Sequence, residues 1–307
     1  MSVRGIRSAL VWAFGISASA VAAAQGAPAP AAPQRIVSMN LCADELVLRL
    51  AAPDTVRSVT WLARDPLISN VARQAQSVPV NRGLAEEIVP LRPDLVIAGV
   101  YTTRTTVALL KRLQVPVLEL DVPQTLPAAM QQIRQVAQAL GRHEQGEAIV
   151  AEMVAGIARV EAELRQHDAS PQASSPKPVA AVFSPNGFTV GKGSIVHDLL
   201  TRAGLRNLAA ERRIDNYGRL PLELLLMAQP DLLIMNAGTD RPPALAYEVL
   251  RHPALRREFR PAQLVTVPSV WWTCAGPQLV DALALLARAG RALDRSVVAT
   301  RAATSHR

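Results

Sequence analysis

The residues that could do chemistry in this chain are few and scattered, and the common catalytic patterns can be tested one by one. Five histidines stand at positions 143, 167, 197, 252 and 306, never at the spacing that two metal ligands need on one helix face. That disfavours a direct zinc or manganese site, and no metal ligands are assigned. The run Gly187–Gly193, GFTVGKG, looks like a phosphate-cradling loop. It has three residues between Gly187 and Gly191 where that loop needs four, and Gly193 stands where a Ser or Thr would bind magnesium. No G-x-S-x-G elbow occurs, and Ser184 and Ser194 have no adjacent base. No acid/base pair is poised, so no catalytic residue and no permanently bound cofactor is expected. What remains is contact chemistry, carried by eleven aromatic residues (four Trp, three Tyr, four Phe) and by arginines.

The elements that must position such contacts begin after a leader. Residues 1–24 carry Arg4 and Arg7, no acid, and an apolar run ending in Ala22-Ala23-Ala24. That order is a secretory signal peptide cleaved after Ala24. The apolar run is about 16 residues and is diluted by Gly15, Ser17 and Ser19, short of the roughly 20 that a membrane span needs. No Cys follows at the cleavage point, so a soluble, unlipidated periplasmic protein is expected. Residues 25–34, QGAPAPAAPQ, read as a disordered Ala/Pro leader. The net charge of +8 falls to +6 when Arg4 and Arg7 are lost, and the Lys and Arg residues are dispersed rather than clustered. Export and dispersion together argue against a nucleic-acid partner.

About 270 residues remain, more than one core usually holds, so two lobes are expected. Strand-like apolar blocks at Arg35–Met39, Val56–Thr60, Leu95–Ala98, Val115–Leu120, Val179–Phe183, Leu232–Met235 and Leu264–Val267 alternate with helical patterns such as Asp44–Ala51 and Thr105–Leu113. The alternation predicts an α/β protein with two Rossmann-like lobes and parallel sheets. Ile149, Met153, Ile157, Val160 and Leu164 mark one face of a helix. At 1.5 Å per residue it would be roughly 35 Å long, enough to bridge the lobes. The division expected is an N-terminal lobe over 35–143, a bridging helix over 144–168, a Pro/Ser-rich linker over 169–177, a C-terminal lobe over 178–295 and a tail over 296–307.

An internal repeat supports two lobes of similar design. Glu86-Glu87-Ile88-Val89-Pro90-Leu91-Arg92-Pro93-Asp94 in the first half matches Glu223-Leu224-Leu225-Leu226-Met227-Ala228-Gln229-Pro230-Asp231 in the second. In each, a Glu opens a helical turn, where the dipole favours it, and Pro-Asp precedes a buried strand. Each lobe would then present a carboxylate at the same place.

RIVSMNLCADELVLRL, LAEEIVPLRPDLVIAG, FSPNGFTVGKGSIVHDLL, RLPLELLLMAQPDLLIM and WWTCAGPQLVDALALL carry a resemblance that runs from about Arg35 to Ala289. The chain resembles the periplasmic substrate-binding proteins of vitamin B12 and ferric-siderophore ABC importers, the class with a single helical backbone between lobes. The resemblance implies a monomeric, non-enzymatic receptor. It would capture a small-molecule metal chelate, a ferric siderophore or a corrinoid, and deliver it to an inner-membrane ABC permease dimer. It also implies that Glu86 and Glu223 dock on the two permease subunits.

In parallel α/β lobes a ligand sits at the C-terminal ends of the strands. On that rule the cleft is lined by Asn40, Cys42, Trp61, Leu62, Tyr101 and Thr102 from the first lobe. Asn186, Phe188, Asn216, Tyr217, Trp271 and Trp272 come from the second. The resemblance favours Tyr217, because the family places a cleft aromatic six residues before the second docking Glu. Arg64, Arg82, Arg104, Arg212, Arg213 and Arg219 lie near these loops and could meet an anionic chelate. Cys42 and Cys274 are the only cysteines. Either they form a disulfide that ties the lobes together, or both are free thiols facing the ligand. Two other readings stay open: an exported two-lobed enzyme acting in the same cleft, and a haem receptor in which Tyr101 or Tyr217 ligates iron.

Overall fold

The computed structural model describes residues 32–169, 176–237 and 249–293. The leader 1–24, residues 25–31 of the Ala/Pro segment, residues 170–175 of the expected linker and the tail 296–307 lie outside the described residues.

The first lobe runs β1 (Ile36–Ser38), α1 (Leu41–Leu50), β2 (Val56–Thr60), α2 (Ala72–Ala75), β3 (Val80–Asn81), α3 (Ala85–Ile88), β4 (Leu95–Gly99), α4 (Arg104–Arg112), β5 (Val117–Leu120) and α5 (Leu126–Ala139). Its strands form one parallel sheet in the order β3-β2-β1-β4-β5, with Ile36 paired to Val56 on one side and to Leu95 on the other. Strands β1 and β4 are buried on both faces, which is why they read as continuous apolar runs and not as alternating ones.

Helix α6 (His143–Asp168) leads to the second lobe. There follow β6 (Val179–Phe183), β7 (Phe188–Val190), α7 (Ile195–Arg202), β8 (Arg206–Asn207), α8 (Leu208–Glu211), β9 (Tyr217–Arg219), α9 (Leu222–Ala228), β10 (Leu232–Ala237), α10 (Pro253–Glu258), β11 (Leu264–Pro268) and α11 (Leu279–Ala292). Four strands make a second parallel sheet, β11-β10-β6-β8, while β7 and β9 form a separate antiparallel ribbon. The architecture is α/β, with two Rossmann-like lobes on one long helix. All seven strands expected from the sequence are present, with no end shifted by more than two residues. The ribbon was not anticipated.

Helix α6 has 26 residues, so it is about 39 Å long. Met153, Ile157 and Val160 of its apolar face are buried, and Ile149 and Leu164 pack against the same core cluster. Two glycines set how closely it lies on each lobe. A Cβ on Gly146 would stand 2.4 Å from the Ala137 Cβ of α5, and one on Gly156 would stand 2.5 Å from Val280 Cγ1 of α11. The helix is therefore fitted backbone-close to one helix of each lobe, and a single apolar core continues through it.

The repeated Glu…Pro-Asp segments adopt the same conformation. Arg92 (φ 45°, ψ 58°) and Gln229 (φ 42°, ψ 60°) both turn left-handed before the proline, so the chain reverses there and not at the proline itself. The aspartate after it then holds the neighbouring strand. Asp94 accepts from the N–H groups of Gln34 and Arg35, each at 2.8 Å, and Asp231 accepts from Val179 N–H at 2.9 Å. The repeat is thus a device for seating the first strand of each lobe.

The tight seat of the spine is testable. Gly156→Val should destabilise the protein by about 1–3 kcal/mol through overpacking against Val280. Chemical denaturation of both proteins measures the difference.

Candidate ligand-binding cleft

Strand order in the first sheet reverses between β1 and β4, so the loops after these strands diverge and leave a crevice at their C-terminal ends. Asn40 stands in the first of those loops. Its side chain caps α1, Oδ1 accepting from Cys42 N–H at 2.9 Å, and its amide lies 3.1 Å from where a Cβ on Gly99 would be. Thr102 Oγ1 accepts from Gly99 N–H at 2.8 Å and folds the second loop into a turn. Tyr101 projects from that turn and is 81% exposed. Trp61, after β2, is half-exposed, and Leu62 beside it is half-buried.

In the second lobe, β6 ends in a turn through Asn186, which is exposed and left-handed at φ 59°. The chain then enters the ribbon. Its pairing aligns Phe188 with Arg219 and Val190 with Tyr217, and the Phe188 and Tyr217 rings stack at 5.7 Å with an interplanar angle of 20°. The glycines of the rejected phosphate-loop motif are what build this ribbon. A Cβ on Gly191 would fall 1.7 Å from the Ile214 carbonyl oxygen, and Gly187 (φ +70°) would put one 2.7 Å from that of Leu220. Asn216, left-handed at φ 53°, lies at the ribbon's base. There a Cβ on Gly193 would be 2.7 Å from Asn216 Oδ1 and 3.9 Å from Gln124 Oε1 of the first lobe.

Between these groups the lobes are fastened together. Cys42 and Cys274 are joined in a disulfide, with their Cα atoms 5.0 Å apart. Neither sulfur is a free thiol. Beside the bond, Asn70 Nδ2 donates to the Val270 carbonyl at 2.6 Å and to both Glu45 carboxylate oxygens. Gln278 Nε2 donates to Glu45 Oε2 at 3.3 Å from the other side. A separate contact, Leu126 N–H to Asp198 Oδ2 at 2.8 Å, joins the lobes through α5 and α7.

The fastening corrects part of the expected lining. It draws residues 269–278 down onto the first lobe, so Trp272 is 7% exposed and belongs to the core, and Trp271 packs against that core. Trp272 is a core residue and not a cleft wall. Cys42 is committed to its bond. The exposed aromatic surface at the strand ends is Trp61, Tyr101, Phe188 and Tyr217.

The arginines divide in the same way. Arg64 donates to the carbonyls of Ala75 and Val78 and holds α2, and Arg82 stands 3.8 Å from Glu87. Arg104, Arg212, Arg213 and Arg219 are exposed and pair with no carboxylate among the described residues. Of the two adjacent acids in α3, Glu87 is engaged, accepting from Arg82 N–H at 2.6 Å. Glu86 is exposed and makes no hydrogen bond among the described residues, and Glu223 is the same. Each has exposed apolar neighbours, Leu84 and Val89 beside Glu86, Leu224 and Met227 beside Glu223.

Sequence reasoning missed Asp44, in the first turn of α1, and Glu45 just after it, both buried. Their partners, Thr60, Asn70 and Gln278, are too distant in the chain to be matched by spacing. Burial pushes the Asp44 carboxyl up from 3.8 to about 7, against hydrogen bonds from Ser38 and Thr60 that favour the anion. Burial also raises Glu45, against its bonds from Asn70. Among the described residues no group of three or more His, Cys, Asp or Glu could hold a metal ion, and no helix is long and apolar enough to cross a membrane.

Two α/β lobes on a single helical spine, with strand-end loops from both turned to one cleft, define a two-lobed binding protein. Residues 36–258 match the periplasmic binding protein family, and the chain belongs to it. A cobalamin-binding protein of Halobacterium salinarum is 23% identical over 261 residues, 84% of this chain and 69% of that one. A solved periplasmic heme-binding protein of Roseiflexus sp. RS-1 superposes with a TM-score of 0.67 at 26% identity, covering 85% of this chain and 99% of that one. A periplasmic heme-binding protein of Pseudomonas aeruginosa superposes at 0.66 with 25% identity, covering 84% and 93%. All three carry names of binding proteins.

Two measurements test the fastening. Replacing both cysteines by serine frees a loop of 232 residues and should cost about 2–5 kcal/mol, read from denaturation midpoints. The folded Asp44 carboxyl holds its proton more tightly than the unfolded one, so its contribution is full below about pH 4 and is lost as pH rises through about 7. Thermal melts should show stability falling across that window by up to roughly 4 kcal/mol, and Asp44→Asn should flatten the fall.

Proposed function

We propose that this chain is an exported receptor that captures a small metal chelate between its lobes and passes it to an inner-membrane ABC permease dimer. Residues 1–24 direct export and are removed, and the receptor works as a soluble periplasmic monomer without a permanent cofactor. The observation that carries the delivery step is the pair Glu86 and Glu223. They occupy matching turns of the two lobes, both are exposed, and neither has a hydrogen-bond or ion-pair partner among the described residues, while the adjacent Glu87 is used internally. Two carboxylates placed alike suit two like subunits of a permease, each offering a basic pocket.

The ligand rests on Tyr101 and Trp61 from one lobe and on Phe188 and Tyr217 from the other. Asn40, Leu62, Thr102, Asn186, Asn216 and Trp271 shape or border the same loops. Aromatic walls suit a broad, partly apolar chelate such as a ferric siderophore, a corrinoid or haem. The cobalamin-binding relative supports a corrinoid, and the two heme-binding relatives support an iron tetrapyrrole. The exposed Tyr101 and Tyr217 answer the lack of a histidine in the cleft loops, because a phenolate can ligate ferric iron.

The test is the double variant Glu86→Lys/Glu223→Lys. Uptake of labelled haemin or cyanocobalamin into permease-containing vesicles should be abolished while affinity for the same ligand stays unchanged. A parallel loss of affinity would move the pair into the cleft and overturn the docking role.

A further inference from the structure

Cys42 and Cys274 are the chain's only cysteines, and their bond joins a strand-end loop of the first lobe to residues 269–278 of the second. Asn40 lies just before one sulfur, and Trp271 and Trp272 just before the other, so the bond ties two borders of the cleft. Its two ends are not alike. Cys274 is 2% exposed, whereas Cys42 is only half-buried and is the second residue of the ten-residue helix α1. A thiolate in solution therefore has access to the Cys42 sulfur and not to its mate. A helix start also favours the thiolate form of Cys42 once the bond is broken.

Breaking the bond does not release the lobes. Asn70 Nδ2 donates to the Val270 carbonyl at 2.6 Å and Gln278 Nε2 to the Cys274 carbonyl at 2.9 Å, and both amides also donate to the buried Glu45. Cys42 Sγ lies 3.7 Å from the Thr273 carbonyl, so a thiol formed there has an acceptor at hand. These contacts keep both sulfurs in register for re-closure. The two cleft borders, however, then rest on hydrogen bonds alone. A bond that opens from one side and leaves its lobes aligned has the properties of a latch.

We propose that the Cys42–Cys274 bond is a redox latch on ligand affinity: a dithiol opens it in the empty receptor, the opened receptor binds ligand more weakly, and bound ligand protects the bond. The proposal rests on the receptor reading given above and adds its regulation. One thiolate of the dithiol attacks Cys42 Sγ, and the Cys274 sulfur leaves and takes up a proton. The second thiolate then attacks the dithiol's own sulfur in the mixed disulfide, and Cys42 leaves and takes up a proton. Two electrons and two protons pass to the receptor, and the dithiol becomes a disulfide. Binding weakens because the ligand must now order two borders that the bond had held. Linkage makes the effect reciprocal. The factor by which the bond tightens ligand binding is the factor by which ligand shifts the bond's reduction equilibrium.

The test titrates two probes, cyanocobalamin and gallium protoporphyrin IX, into oxidised protein and into protein reduced with dithiothreitol and desalted without oxygen. The reduced form should bind the preferred probe about fivefold or more weakly. Cys42→Ser/Cys274→Ser should match the reduced form and no longer respond to dithiothreitol. Saturation with the same probe should shift the wild type's reduction equilibrium by the same factor. Hydrogen exchange of the reduced protein should quicken within residues 269–278 and stay unchanged in α6. Global unfolding on reduction would make the bond a staple and overturn the proposal. Equal or tighter binding by the reduced form, or reduction indifferent to ligand, overturns it and leaves the receptor reading standing. Binding of neither probe by either form overturns both.

Discussion

Two lobes joined by one helix would swing about it unless something else held them, and the placement of every cleft residue depends on what does. Here the hold is the disulfide between Cys42 and Cys274, flanked by a buried carboxylate that gathers groups from both lobes. Glu45 could not be buried without donors, and Asn70 and Gln278 supply them, one from each side. Asn70 also reaches the backbone of the second lobe. The covalent bond fixes a distance, and the hydrogen bonds fix an orientation. With the contact through α5 and α7, the lobes meet on more than one line, and the cleft is the space left over.

The spine contributes in a different way. It is fitted by two glycines to one helix of each lobe, so its backbone lies directly against the Ala137 and Val280 side chains. The spine and the fastening together fix where the loops of the two lobes meet.

Much of this was legible in the amino-acid order. The apolar strands were plain because sheets buried on both faces need unbroken apolar runs, and the spacing of Met153, Ile157 and Val160 marked the spine. The matched Glu…Pro-Asp segments declared two similar lobes. Other features were hidden because they depend on partners far away. The ribbon has three-residue strands, too short for a period-two pattern, and it exists because Gly191 lets the Ile214 carbonyl approach. Trp272 reads like an aromatic at a strand end, yet it is buried in the core two residues before the disulfide-bonded Cys274. Asp44 and Glu45 read as ordinary helix-start acids, and nothing local shows that Thr60 and Gln278 enclose them.

The span of the disulfide also orders the life of the chain. Residue 42 is made early and residue 274 late, and the bond between them encloses nearly all of both lobes. A ribosome or translocation pore that has released only the first lobe holds a thiol with no mate. Covalent closure waits until the second lobe has emerged and begun to fold against the first. A chain interrupted anywhere before residue 274 can never be sealed, so the sealed form always carries both lobes as far as Cys274. Oxidation thereby reports that the second lobe has been made, and any quality control that traps free thiols would retain chains that stop short of it.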